Sequence, residues 1–209
     1  MSMSGAEKIT SFDISQNAIS AASKYYSRPN IKYICSDFLT TTCDFEKVDI
    51  ITSFETLEHL DNPKIFLLKL KEVSHSKSIL FLSTPNGRTF KPSLDHAPHN
   101  PFHVEEYSKE QLLKMFAESG WRVEQYLGQH SMPIDSPEMA NYEKFIRDYW
   151  DVFTRTKNSY LWRIYYLLLR KLTKFEIIEP AHQGNCYPAP VTSGMEPAYH
   201  YFILRPISD

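Results

Sequence analysis

Three carboxylates recur at matching places along this 209-residue chain: Asp13 in Phe12-Asp13-Ile14-Ser15, Asp37 in Ser36-Asp37-Phe38, and Glu55 in Ser53-Phe54-Glu55. Each closes a run rich in β-branched and aromatic residues, the composition of a strand. In an open α/β sheet the carboxyl ends of the strands form the ligand-binding edge, and an acid there suits the two hydroxyls of a ribose. Asp13 fits that role, and it also fits a cap on the helix that follows. Asp37 offers an acceptor for an exocyclic amine, beside Phe38, an aromatic that can line a base pocket. Two such acids on neighbouring strands are more specific than either alone. Past Glu55, the stretch Glu55-Thr56-Leu57-Glu58-His59-Leu60 carries His59. A histidine titrating near neutrality serves as a general base or substrate ligand, or it organises its loop through local hydrogen bonds.

The segment His96-Ala97-Pro98-His99-Asn100-Pro101-Phe102-His103 concentrates three of the eight histidines. Histidine ligates zinc and iron, but this spacing matches no metal signature and no nearby Cys completes a set, so no metal is expected. A lid touching substrate, or a loop ordered by its own polar network, accounts for the segment instead. Neither a Gly-rich phosphate loop, nor H-E-x-x-H, nor G-x-S-x-G occurs, which removes the support for phosphoryl transfer and serine-type hydrolysis.

These residues need a scaffold, and its elements are legible. Lys8 to Ile14, Ile31 to Ser36, Val48 to Phe54 and Ser78 to Ser83 read as strands, continuous rather than alternating in hydrophobicity, as when helices cover both sheet faces. Helices fall between them. Gln16 to Tyr26 is capped by Ser15, Lys64 to Val73 has Pro63 at its first position, and Lys109 to Glu118 is capped by Ser108 and stopped by Gly120. Strand and helix alternate, the pattern of a doubly wound parallel α/β sheet. Trp121 to Leu127 and Tyr199 to Leu204 form a terminal hairpin. Between them lies a mainly helical, aromatic-rich insertion, whose segment Leu161 to Lys171 is a cap helix or a membrane-surface or partner helix. The expected organisation is a Rossmann-like core over 1–130, an insertion or cap over 131–197, and the last core strand and tail over 198–209.

Apolar residues make up 42% and charged residues 23%, values of a soluble globular chain. Lys+Arg 23 against Asp+Glu 25 gives a net charge of −2, without the basic excess of a nucleic-acid binder, so no nucleic-acid partner is expected. Cys35, Cys43 and Cys186 form no C-x-x-C pair and fit a reducing compartment, and neither a signal peptide nor a transmembrane segment is apparent. The chain therefore reads as cytoplasmic.

With these acids in order, the stretch from Ile9 to about Gln129 resembles the class I S-adenosylmethionine-dependent methyltransferases of small molecules. The resemblance lies in ITSFDISQNAISAASKYY, IKYICSDF, VDIITSFETLEHLDNPKIFLLKLKEV, SILFLSTPNG and NPFHVEEYSKEQLLKMFAESGW. It implies S-adenosylmethionine as cofactor, with Asp13 and Ile14 at the ribose, Asp37 at the adenine amine, Phe38 at the base, and Phe54 and Glu55 bordering the methionine end. The loop from His96 to Tyr107 would face a small-molecule acceptor, through His99, Phe102 and Tyr107, and His59 and His103 are the candidate bases. The same resemblance implies a first strand and glycine loop ahead of Asp13, for which Ser2 to Ala6 supplies only the tail of a helix. The expectation is a sheet incomplete at its N-terminus, because the chain is a fragment or internal start of a longer methyltransferase, or a degenerate relative that binds a partner, or because a second copy, a partner chain or a rearranged segment fills the gap, with cofactor binding weaker by about a hundredfold or more than in an intact relative. Two other functions compete: a non-catalytic binding or assembly module, and a Rossmann-type oxidoreductase, whose G-x-G-x-x-G fingerprint is missing.

Overall fold

The structure, a computed structural model, describes residues 5–42, 46–90, 102–133 and 187–207. The chain divides into two units, Met1–Glu46 and Lys47–Asp209.

The first unit is one βαβ turn. Strands β1 (Ile9–Asp13) and β2 (Ile31–Cys35) pair in parallel, Ile9 opposite Ile31 and Asp13 opposite Cys35. Helix α1 (Gln16–Tyr26) connects them, as parallel pairing requires a crossover. Its N-cap Ser15 is extended and its side chain accepts from the Ala18 N–H, satisfying one of the donors that the first turn leaves open.

In the second unit, β3 (Val48–Phe54), β4 (Ser74–Pro85), β5 (Trp121–Pro133) and β6 (Met195–Pro206) stand in the order β3-β4-β6-β5. β3 and β4 are parallel, and β6 runs antiparallel to both of its neighbours. Helix α2 (Pro63–Glu72) starts at Asn62, whose side chain accepts from Ile65 N–H, with Pro63 where its missing N–H costs nothing. A one-turn helix α3 (Gly87–Phe90) follows β4, and α4 (Lys109–Glu118) opens with a reciprocal capping box between Ser108 and Gln111. Its end is set by Gly120, whose φ of +76° only glycine adopts without strain.

Leu80 and Leu82 of β4 and Phe202 and Leu204 of β6 are fully buried. They are register partners, Leu80 with Leu204 and Leu82 with Phe202. Leu67, Leu112 and Phe116 complete this core, Phe116 meeting Phe202 edge-on at 5.0 Å. Trp121, 1% exposed, ties β5 to α2 by donating its indole N–H to the Leu67 carbonyl at 3.0 Å.

The helices lie where capping chemistry places them. β4, β5 and β6 run longer than their apolar centres: Ser74 pairs with Val48 ahead of an irregularity that ends at Ile79, and Gln129, Ser131 and Glu196 pair in the β5–β6 ladder despite polar side chains. Within the units the described strands pair as a two-stranded sheet in the first and a four-stranded sheet in the second. Strand character resides in side-chain composition, whereas membership of a sheet depends on hydrogen-bonding partners. The helical segments expected between 134 and 186 lie outside the described residues. Among the described residues no helix is long and apolar enough to cross a membrane.

Candidate functional site

In the first unit Asp13 closes β1 and Asp37 follows β2, and the Ser36 N–H donates to the Asp13 carbonyl at 3.1 Å, so both acids sit at the carboxyl edge of the pair. Each carboxylate holds its own turn: Asp13 Oδ1 accepts from the Ser15 N–H at 2.7 Å, and Asp37 Oδ1 from the Leu39 N–H at 2.9 Å. Asp13 thus does support the start of α1 while remaining exposed. Phe38 packs edge-on against Phe12, ring centroids 5.2 Å apart, and Ile14 is 77% exposed.

In the second unit the end of β3 departs from ordinary strand geometry. Glu55 has φ +50°, a left-handed conformation unusual for a side chain with a Cβ, held because its N–H donates to the Ser83 carbonyl at 3.1 Å and its Oε1 accepts from the Ser83 hydroxyl at 2.7 Å. Phe54 stacks on Tyr201 at 5.7 Å. The chain then turns through the 3-10 segment Leu57–His59, which buries Glu58 completely. Glu58 Oε2 accepts from the Thr84 hydroxyl at 2.9 Å, while Oε1, equally buried, meets no hydrogen-bond donor. His59 Nε2 lies 3.9 Å from that oxygen.

The segment after Phe102 docks on this turn. His59 Nδ1–H donates to the Phe102 carbonyl at 2.9 Å, and the Glu58 carbonyl accepts from the Val104 N–H at 2.7 Å and the Glu105 N–H at 3.3 Å. These bonds bring the His103 ring to 4.8 Å from that of His59, nearly perpendicular to it. His103 Nδ1 in turn lies 2.7 Å from Glu106 Oε1, and Glu106 is 1% exposed. Tyr107 is buried, and its carbonyl accepts from the Gly87 N–H at 3.0 Å. Gly87 is required there, because a Cβ would collide with the Glu106 carbonyl oxygen.

Burial pushes both Glu55 and Glu58 above the usual carboxylate range, since desolvation penalises the charge; the hydroxyls of Ser83 and Thr84 and the two imidazoles pull the other way. Burial likewise raises the Tyr107 phenol to about 12.

The structure therefore brings His59 and His103 together, beside Glu58 and with Glu55 interacting electrostatically with both imidazoles. Phe102 is 76% exposed and Tyr107 largely enclosed. His99 lies outside the described residues. The sequence reading assigned no role to Glu58 or Glu106. Their signal was weak, an acid beside a histidine and one three residues after another, until burial made each carboxylate need a partner. Donor atoms of Glu58, His59 and His103 all fall within 4.8 Å of one another, so these three could hold a cation, a set that sequence spacing did not show because two separate segments supply it.

Residues 1–126 match the family model described as "Methyltransferase domain". A ubiquinone biosynthesis O-methyltransferase of Glaesserella parasuis is 30% identical over 145 residues, covering 60% of this chain and 61% of the relative. A Mycobacterium tuberculosis protein named "Probable S-adenosylmethionine-dependent methyltransferase" is 26% identical over 116 residues, 56% of this chain and 41% of its own length. The chain thus spans about half the length of these curated relatives. Among solved structures, an O-methyltransferase from a Brevibacillus brevis polyketide multienzyme, in complex with S-adenosyl-L-homocysteine, superposes with a TM-score of 0.56 at 13% identity, over 96% of this chain and 59% of that one. An S-adenosylmethionine-dependent methyltransferase from Clostridium acetobutylicum superposes with a TM-score of 0.55 at 9% identity, over 96% and 76%. At these identities the superpositions establish the fold.

Proposed function

The chain belongs to the methyltransferase-domain family, and from that premise we propose that it transfers a methyl group from S-adenosylmethionine to an oxygen, nitrogen or carbon of a small-molecule acceptor. The observation that carries this reading is the pair of carboxylates, Asp13 and Asp37, at the carboxyl edge of adjacent parallel strands inside the matched segment. Asp13 takes the ribose hydroxyls with Ile14 beside it, and Asp37 the adenine amine with Phe38 against the base. Phe54 and Glu55, at the end of β3, are assigned to the methionine half, and Phe102, Tyr107 and His99 to the acceptor.

The chemistry asks little covalent work of the protein. The sulfonium is already activated, so the barrier falls chiefly through alignment of the nucleophile with the methyl–sulfur bond. The nucleophile's lone pair forms the new bond to the methyl carbon, the carbon–sulfur bond breaks, and its electron pair returns to sulfur, leaving a neutral thioether. Where the acceptor must lose a proton, His59 and His103 are the groups to receive it, each presenting Nε2 because its Nδ1–H is directed to an acceptor.

Calorimetric titration with S-adenosylhomocysteine tests the reading. Binding is expected, weakened at least about tenfold by Asp37→Ala, since a hydrogen bond to a charged group contributes about 1.5–3 kcal/mol. A folded chain that binds neither S-adenosylhomocysteine nor S-adenosylmethionine, or whose affinity ignores Asp37→Ala, would overturn it.

A further inference from the structure

We propose that Glu58, His59 and His103 bind a divalent transition-metal cation, with zinc the best match to their donors. Three observations support this. The three donor groups converge, with ligand atoms within 4.8 Å of one another, a span that modest side-chain rotation closes around one ion. Each imidazole is already oriented as metal-ligating histidines are, its Nδ1–H directed to an oxygen so that Nε2 carries the lone pair: the Phe102 carbonyl holds His59 and the buried Glu106 carboxylate holds His103. The third observation is independent of the imidazoles. Glu58 is 0% exposed, and its Oε1 meets no hydrogen-bond donor, although an unpaired buried carboxylate oxygen is costly. A cation beside His59 Nε2 satisfies it.

The donor chemistry selects the ion. Two imidazoles and one carboxylate suit zinc and its first-row neighbours, whereas magnesium and calcium favour oxygen ligands. Three protein ligands leave a position open for a small molecule, and His59, with a side chain 42% exposed, lies on the solvent side of the set. A hydroxyl occupying that position would lose its proton to solvent water more easily because of the metal's charge, so in the loaded protein the acceptor would be deprotonated without the imidazoles, whose Nε2 lone pairs the cation would hold. Cation binding itself does not depend on methyl transfer, and it is measured without donor or acceptor.

The full chain, in chelator-free buffer, is titrated with zinc chloride by calorimetry and with cobalt chloride by visible absorption. One equivalent is expected to bind, with cobalt giving the intense d–d bands of an ordered low-coordinate site. His103→Ala and His59→Ala are each expected to weaken zinc at least about a hundredfold, roughly 2.7 kcal/mol, while His75→Ala, at a surface histidine paired with Asp49, leaves it unchanged. Glu58→Gln supports the assignment if it weakens zinc while far-ultraviolet circular dichroism stays native; if it unfolds, the two histidine variants decide. Absence of zinc binding, or binding indifferent to both His59→Ala and His103→Ala, overturns the proposal. Loss of S-adenosylhomocysteine binding with zinc binding intact would overturn the functional reading instead and leave this one standing.

Discussion

Two sets of acids in this chain are held in opposite ways. Asp13 and Asp37 each bind a backbone N–H two residues on, and Asp13 remains exposed. Glu58 and Glu106 are buried, Glu58 held by Thr84 of a neighbouring strand and Glu106 by His103. In the first set the carboxylate shapes a local turn and keeps its hydration. In the second it has been taken out of water, so its energetics depend on each donor or cation that tertiary contacts supply. The first set suits recognition of a polar ligand, whereas the second suits charge chemistry, where desolvation magnifies each interaction.

The largest expected effect tests whether the second unit's core supports its buried acids. Trp121→Ala removes a fully buried indole and its bond to Leu67, and should cost about 3–5 kcal/mol in urea unfolding. If the cost were below 1 kcal/mol, β5 and α2 would not be packed as described.

Next in size is an acid-dependent loss centred on His200. Burial lowers this imidazole from 6.5 to about 4, and its surroundings include Tyr126, Glu110, Lys109 and Arg88. Between those pH values the unfolded chain binds a proton that the folded chain does not, so stability is full above pH 6.5 and falls as pH drops towards 4. The loss attributable to this residue should reach about 3 kcal/mol, and His200→Asn should flatten that part of the stability–pH curve. An unaltered curve would mean that His200 is hydrated in solution.

The smallest effects sharpen the contrast directly. Thr84→Val leaves Glu58 Oε2 without its donor and should cost about 1–3 kcal/mol. Ser15→Ala, which removes an exposed cap contact in the first unit, should cost about 1 kcal/mol. Thermal unfolding of the two variants side by side checks the order. Equal losses would show that burial adds nothing to the Glu58 contact.

Legibility followed the same division. The caps Ser15, Asn62 and Ser108 lie at helix starts because a short oxygen-bearing side chain satisfies N–H groups two or three residues ahead, information contained in a few consecutive residues. Asp13 and Asp37 were found on the same terms, through their places at strand ends. Strand edges were less legible: β4 starts at polar Ser74 because the Val48 backbone is available to pair with it. The pairing of His59 with His103, the burial of Glu58 and the service of Glu106 to His103 had no counterpart in spacing, because two turns distant in the chain meet through the Glu58 carbonyl and the Phe102 carbonyl.

Residue order alone thus established the helices with their caps, the strand centres, the acids at strand ends and the resemblance to methyltransferases, since each depends on neighbours within a few positions or on a run of matching residues. Folding decided the rest: which strands share a sheet, which acids lose their water, and which imidazoles meet. Those outcomes depend on contacts between distant segments, and a buried charge has meaning only when its partners are in place.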